Sequence, residues 1–359
     1  MMRTMTRSDC RGRFRFATVI AAFFCVCSAR LPLAYAVDPM VGLRSLAMGD
    51  SLRGAATGSE GTLLNPSGIA IERRFNSSGF YSLRAQSLGH FLHASISDSV
   101  TQQYLAIGLY YNYFHETPRF SYLLPEGGAR NRAFVVDGYD TVRTGTEAGA
   151  VIAVPFGERF ALGGTLKYGY FSLKSQLHAG DVPEDFAYQN PKIDGDKSVD
   201  LGTLGHVVSF DLGFTLRLIN ELRLGVVGQN LWAHGTELPS RLGIGLSYRL
   251  NERVLFAADA MIDFTGNESC SVAMDNGLCQ ESQRRTTYRI GGGAEYIAAS
   301  KVPLRAGYLY DSYLNAHHVS GGLGYLDTER GFGLDFSLRQ QVSAGTETVL
   351  LLGFRVIKN

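Results

Sequence analysis

Apolar residues alternate with small or charged ones along most of this chain, and that alternation limits what it can fold into. In Arg241 to Leu250, Leu242, Ile244, Leu246, Tyr248 and Leu250 fall on one face, and Arg241, Gly243, Gly245, Ser247 and Arg249 on the other. Phe160 to Lys174, Phe210 to Leu218 and Phe332 to Arg339 repeat the pattern. A period of two is the signature of a β-strand with two unlike faces. A soluble sandwich alternates too. Its buried side would not tolerate Arg217, Arg223, Arg241, Arg249, Asp259, Arg289, Arg305 and Asp335, which all lie on the small-residue face here. A barrel with apolar residues outside and a wet or plugged lumen would.

The connections sharpen this reading. Short ones fall near Pro155–Glu158, Ile219–Glu221, Asn251–Glu252, Ala298–Lys301 and Asp327–Arg330. Longer ones lie between them, at about Glu116–Thr141, Gln176–Leu204, Ala233–Pro239, Asn267–Arg284 and Gln340–Thr346. Strands are expected at 75–85, 88–98, 103–115, 141–154, 159–174, 205–218, 221–231, 240–250, 253–265, 285–297, 302–312, 317–326, 331–339 and 347–357. The expected fold is all-β: a transmembrane, up-and-down antiparallel β-barrel of about fourteen strands. Short periplasmic turns and longer external loops alternate in such barrels, and an even strand count places both ends on the periplasmic side.

An export address precedes the strands. Met1 to Phe16 carries five arginines against Asp9, Ala17 to Ala29 is apolar, and Ala34-Tyr35-Ala36 offers small residues for cleavage before Val37. These mark residues 1–36 as a secretory signal peptide, because the apolar run is well short of the ~20 residues of a spanning helix. Without it, Lys+Arg falls to 28 and Asp+Glu to 32, a net charge of −4 that argues against a nucleic-acid partner. Cys270 and Cys279 remain in a polar stretch, and in an oxidising compartment they are expected to form a local disulfide. Destination and architecture together give the cell outer membrane and its lipid as the surroundings.

Between address and first strand runs Val41 to Ala70, rich in small residues and closing on Asn65-Pro66-Ser67-Gly68. It has neither a period-2 pattern nor a long amphipathic helix. Its expected place is the lumen, which divides the chain into signal peptide (1–36), N-terminal hatch or plug (37–74) and barrel (75–359).

Here the chain resembles a family. Gly42, Ala47-Met48-Gly49 and Asn65-Pro66-Ser67-Gly68 are similar to the N-terminal hatch of the FadL/TodX transporters and the related PorV/PorQ barrels. Leu224 to Leu231, Leu238-Pro239, Arg241 to Gly245, Leu304 to Tyr308 and Gly321 to Gly324 resemble the PorV-type branch. Ser67 stands where the resembled motif usually has Ala, and the chain ends in Phe354 to Asn359 rather than on an aromatic residue. The resemblance implies a fourteen-stranded barrel plugged by its N-terminal segment. In the transporter branch hydrophobic compounds pass a rearranged hatch; in the PorV branch the barrel serves secretion or surface attachment through partner proteins.

Little in the sequence suggests catalysis. Gly54 to Gly61 and Gly291-Gly292-Gly293 lack the Lys-Ser/Thr of a phosphate loop and read as turn or close-packing glycines. His317 and His318 are adjacent, and His90 and His93 are an odd number apart, so in strands each pair diverges and cannot share a metal. No His-Glu-x-x-His or Gly-x-Ser-x-Gly occurs, and neither metal nor cofactor is expected. The inward charges are read as a solvated or mutually paired lumen wall, or with some of Arg223, Arg241, Arg249, Arg289 and Arg305 holding the hatch or an anionic head group. Tyr111, Tyr113, Tyr168, Tyr170, Tyr248, Tyr288 and Tyr308 are read as lipid-facing. Two functions are carried forward: passive transport of hydrophobic or amphipathic, fatty-acid-like molecules, and a PorV-like barrel docking a secretion or attachment partner.

Overall fold

The computed structural model describes most of residues 41–358; residues 1–40, 86–87, 102–103, 117–120, 125–133, 138, 178–197, 200–204, 236–237, 274–278, 300, 328, 344–346 and 359 lie outside the described residues. Only the backbone is described in 121–124, 134–137, 139–143, 173–177, 198–199, 235, 265–273 and 279–285.

The strands are β1 (Phe75–Arg84), β2 (Gly89–Asp98), β3 (Ala106–Glu116), β4 (Ser121–Leu124), β5 (Phe134–Asp137), β6 (Tyr139–Phe156), β7 (Phe160–Leu177) and β8 (Ser198–Val199). They continue as β9 (Gly205–Arg217), β10 (Leu222–Gly235), β11 (Arg241–Arg249), β12 (Val254–Ala273), β13 (Cys279–Ala298), β14 (Val302–Asp311), β15 (Ala316–Asp327), β16 (Phe332–Gln341) and β17 (Thr348–Lys358). All but β4, β5 and β8 form one antiparallel ring of fourteen. β1 pairs with β17 and β6 pairs directly with β7, so the ring has no open edge. Closure satisfies every ladder group internally, the condition for crossing lipid with strands.

The fourteen strands read from the sequence correspond one for one to these. The long connections differ. β12 and β13 continue to Ala273 and from Cys279, so most of what reads as the Asn267–Arg284 loop is paired strand. β4 and β5 form a small hairpin within 116–141, and β8 adds to β7 within 176–204. These extensions were hidden because the alternation that betrays a strand comes from having lipid on one side. Beyond the bilayer both faces are polar, while the backbone still pairs. In this register Cys270 lies opposite Ser282 and Cys279 opposite Ala273; the side chains of the expected disulfide lie outside the described residues.

Exposure follows the period of two. Leu92, Ile107, Leu109, Ile152, Leu166, Ile244, Leu323 and Leu352 are exposed on the outer face. So are the seven tyrosines read as lipid-facing. The two rims differ in chemistry. At the short-turn rim the outer face carries Phe156, Phe256, Tyr296, Tyr325 and Phe332. At the long-loop rim His90 and His206 stack on Tyr81 and Tyr168, His317 packs at a tilt against Tyr308, and His234 stacks on Trp232. His93 and His318, the sequence neighbours of two of these, are buried on the inner face.

Residues 41–74 occupy the interior. They form α1 (Leu43–Ala47), α2 (Ser59–Leu63) and a 3-10 turn (Pro66–Ala70), elements too short for the sequence's periodicity to reveal. Leu43, Leu46, Met48, Leu52, Leu63 and Leu64 form a core with Phe80, Leu255, Ala257, Val349 and Leu351 of the inner wall. The wall glycines let the chain come close: a Cβ on Gly291 would overlap the carbonyl oxygen of Gly49, and one on Gly225 that of Arg53. Gly291 and Gly293 are thus close-packing glycines, as their sequence context suggests.

Candidate functional site: the barrel lumen

Three zones succeed one another along the lumen: an apolar and polar zone near the long loops, the N-terminal segment, and an arginine-rich mouth at the short-turn rim.

The first zone is built from inward positions on β2, β3, β6, β7 and β9. Phe114, Phe171, Val207 and Leu238 form a buried cluster, with Phe91 packed against it. Beside it runs a polar chain. His93 Nδ1 lies 2.7 Å from Asn112 Oδ1, and Tyr110 donates to Glu147 at 2.9 Å. Lys167 Nζ lies 2.7 Å from Asp211, which accepts the backbone N–H of Asn230 at 2.7 Å. Asn230 sits in a bulge of β10, where the register with β9 shifts between Gly228 and Trp232, and it takes φ 53°. Its Nδ2 donates to the Pro239 carbonyl at 2.7 Å, fixing the loop that carries Leu238. A bulge re-aims a side chain that a regular strand would have turned elsewhere.

The second zone is the N-terminal segment, fixed to the wall by a few polar anchors. Asp259 Oδ2 accepts three hydrogen bonds, from the backbone N–H of Leu52 (3.0 Å), that of Arg53 (2.9 Å) and Arg53 Nη1 (3.0 Å). They hold a turn in which Gly49, Asp50 and Leu52 have φ of 69°, 58° and 137°. Such backbone costs of order 1–3 kcal/mol per non-glycine residue and persists only where the surroundings enforce it. Asp50 accepts from Arg339 at 2.6 Å. Arg44 grips Glu295 through two nitrogens at 2.8 and 3.2 Å. Glu295 also pairs with Arg305 at 2.7 Å, and Arg305 reaches Asp335 at 2.5 Å.

The sequence motif Asn65-Pro66-Ser67-Gly68 has a direct physical account. Asn65 Oδ1 caps the 3-10 turn, accepting from Ser67 N at 3.3 Å, with Pro66 at the first position where a missing N–H costs nothing. Asn65 Nδ2 donates to the Arg53 carbonyl, the Phe214 carbonyl and Thr215 Oγ1, at 3.1, 3.2 and 3.1 Å. Gly68 packs on the Ala56 carbonyl, where a Cβ would overlap. Ser67, the residue that departs from the resembled pattern, lies 2.8 Å from Thr215 Oγ1, a contact alanine cannot make. We expect Asn65→Ala to lower stability by about 1–3 kcal/mol, since it strands buried partners as well as a cap. The check is the temperature at which the folded band disappears in unheated-versus-heated electrophoresis.

The other residues marked from the sequence fall into two groups. Arg241 pairs with Asp263 at 3.0 Å and Arg289 with Asp311 at 2.7 Å, both within the wall. Arg305 also pairs within the wall and is linked to the segment through the Glu295 it shares with Arg44. Arg223 and Arg249 point to Glu72 of the segment, at 3.8 and 3.7 Å. Gly42 backs onto the Glu60 side chain, whose Oε1 accepts the Arg44 N–H at 3.0 Å. Sequence reading missed Arg44, Asp50 and Arg53 as anchors. Their charge within an otherwise small and apolar segment was the available signal, because a buried charge needs a partner.

The third zone, the mouth, is positively charged. Arg74, just before β1, ion-pairs with Glu72, and burial together with the nearby Arg44, Arg355, Arg249 and Arg223 pulls its guanidinium down to about 10. Among the described residues, no group of three or more His, Cys, Asp or Glu is placed to hold a metal ion.

No protein-family model and no curated protein sequence matches the chain. Solved structures do. The Ralstonia pickettii toluene transporter TbuX superposes with TM-score 0.62 at 16% identity, covering 89% of this chain and 98% of its own. The chain has the FadL/TodX barrel fold. The P. putida toluene transporter TodX gives TM-score 0.61 at 14% identity, with 89% and 99% covered. A Pseudomonas aeruginosa FadL homologue gives 0.59 at 10% identity, with 91% and 99% covered. The FadL/TodX fold thus spans nearly all of each compared chain, although few side chains are shared.

Proposed function

We propose that this chain is an outer-membrane barrel passing hydrophobic or amphipathic small molecules passively, with residues 37–74 as its hatch and residues 1–36 removed on export. The observation that carries the reading is the inward apolar cluster of Phe91, Phe114, Phe171, Val207 and Leu238 at the long-loop end of the lumen. It gives an apolar molecule a place to leave water before it meets the segment. The fold supports the reading, since two of its neighbours are toluene transporters by name. The left-handed turn at Gly49 to Leu52, held by one carboxylate, is a natural place for the segment to yield. No observation on the barrel favours the partner-docking alternative.

The test is toluene entry into vesicles carrying the purified protein, together with a reversible lock. Ser67 Oγ and Thr215 Oγ1 are 2.8 Å apart, close enough for a pair of cysteines to bridge segment and wall. In a background lacking Cys270 and Cys279, we expect Ser67→Cys with Thr215→Cys to block entry when oxidised and restore it when reduced. Entry no faster than in empty vesicles would sink the transport reading. Entry unaffected by the bridge would show a route that needs no movement at this point.

A further inference from the structure

His90 and His93 diverge, as their odd spacing requires, and the histidine that His90 meets lies on the next strand instead. The register sets His90 of β2 directly opposite His115 of β3. Both lie on the outer face at the long-loop rim, in line with Leu92, Ala94, Tyr111 and Tyr113. Their rings stack, with centroids 6.5 Å apart and planes 23° from parallel. The acid next to the pair in sequence, Glu116, turns inward to Arg84 at 3.1 Å, so it does not serve either ring as a counter-ion.

Each ring is held through the same nitrogen. His90 Nδ1 lies 2.5 Å from the Tyr81 hydroxyl on β1, and His115 Nδ1 lies 3.0 Å from Thr144 Oγ1 on β6. A hydroxyl oxygen accepts from Nδ1–H, and the tautomer this favours carries a bare lone pair on Nε2. Among the described residues no hydrogen bond engages either Nε2. Metal-ligating histidines are oriented in this way, with the other ring nitrogen bound to a fixed oxygen. Directly opposed residues have Cβ atoms about 4.5–5.5 Å apart. One ion reached by both rings at about 2.0–2.1 Å needs their nitrogens no more than about 4 Å apart. Side-chain torsions alone meet that condition, with the ladder unchanged.

The rest of the rim shows what is particular to this pair. Tyr168 and Tyr308 hold Nδ1 of His206 and His317 just as Tyr81 holds that of His90. There the ladder sets each histidine opposite a tyrosine, Tyr170 and Tyr310, and no second imidazole joins it.

We propose that His90 and His115 form a two-histidine site for a divalent transition metal on the outer rim, with water completing the coordination. Neutral imidazole suits copper, nickel and zinc, and Cu²⁺ binds such donors most tightly of the three. The site goes beyond the transport reading and uses no lumen residue. A bound ion clips β2 to β3 one residue before β3 ends at Glu116 and the chain leaves the ring for the β4–β5 hairpin. It stabilises that end of the ladder by mass action.

The test titrates Cu²⁺ into the full mature chain in nanodiscs, without a histidine tag and in a background lacking Cys270 and Cys279. Electron paramagnetic resonance follows the bound ion, and its pulsed form counts coordinated imidazoles. Saturable binding of one ion by two imidazoles is expected, with slower amide exchange at residues 90–92 and 113–116. His90→Ala and His115→Ala should each weaken it at least ten- to hundredfold, the cost already seen when only a supporting partner of a metal ligand is removed. His206→Ala with His317→Ala should leave the titration unchanged. Heat-modifiable migration reports that each variant is folded. A single coordinated imidazole overturns the proposal, since the ion is then adventitious. So does a double variant, His90→Ala with His115→Ala, that binds Cu²⁺ as tightly as the parent chain.

Discussion

Deleting residues 41–72 should turn a closed barrel into an open pore. The fourteen-strand ring closes through ladders that involve none of these residues, so we expect the shortened chain to fold and migrate as a heat-modifiable barrel. The uncovered wall is mostly glycine, serine and charge, such as Gly225, Gly243, Gly291, Ser337, Asp259 and Glu295, which water solvates readily. Eight-stranded barrels fill their interior with side chains and sixteen-stranded ones leave an aqueous channel, so an emptied fourteen-stranded lumen should conduct. The measurement is ion conductance in planar bilayers and sugar entry into vesicles, both expected to rise far above the intact protein. The opposing outcome is a chain that never forms a heat-modifiable band. That would mean Leu46, Met48, Leu52 and Leu64, packed on Phe80, Leu255 and Leu351, are core the barrel needs in order to fold.

Asp259→Ala should free the segment without removing it. The substitution leaves the Arg53 guanidinium, 3% exposed, without its ion-pair partner and two backbone N–H groups without their acceptor. Breaking one side of a buried pair costs about 3–5 kcal/mol. The loss falls on the left-handed turn at Gly49 to Leu52, whose conformation depends on that carboxylate. We expect faster hydrogen exchange and protease cleavage at residues 49–53, with conductance between those of the intact and deleted chains. Asp259→Asn should recover part of the hold, since its side-chain oxygen still accepts from the two N–H groups. Arg241→Ala, which breaks the pair with Asp263 inside the wall, should leave conductance unchanged. Identical exchange and conductance in Asp259→Ala and wild type would show that the apolar contacts hold the segment alone.

Much of the barrel is legible in the chain because lipid imposes it. One solvent outside and another inside force every spanning strand into a period of two, so strand positions, inner and outer faces, and the even count are local properties. The small-residue segment ahead of the first strand, with its Asn65-Pro66-Ser67-Gly68 turn, stood out for the same reason: it breaks the period. The alternation shows that Arg217, Arg223 and Asp259 face inward. It says nothing about what they meet. Arg53 and Asp259 are 206 residues apart, and their meeting depends on the path the segment takes through the lumen, including the positive φ angles at Gly49, Asp50 and Leu52. The shift of β10 at Asn230 and the opposition of Arg217 to Arg223 are likewise matters of register. The sequence by itself therefore determined that there is a wall and which way the residues of its spanning strands face. Only the tertiary structure decided which inner charges hold the segment, because period fixes a side chain's direction whereas a partner across the lumen is fixed by three-dimensional closure.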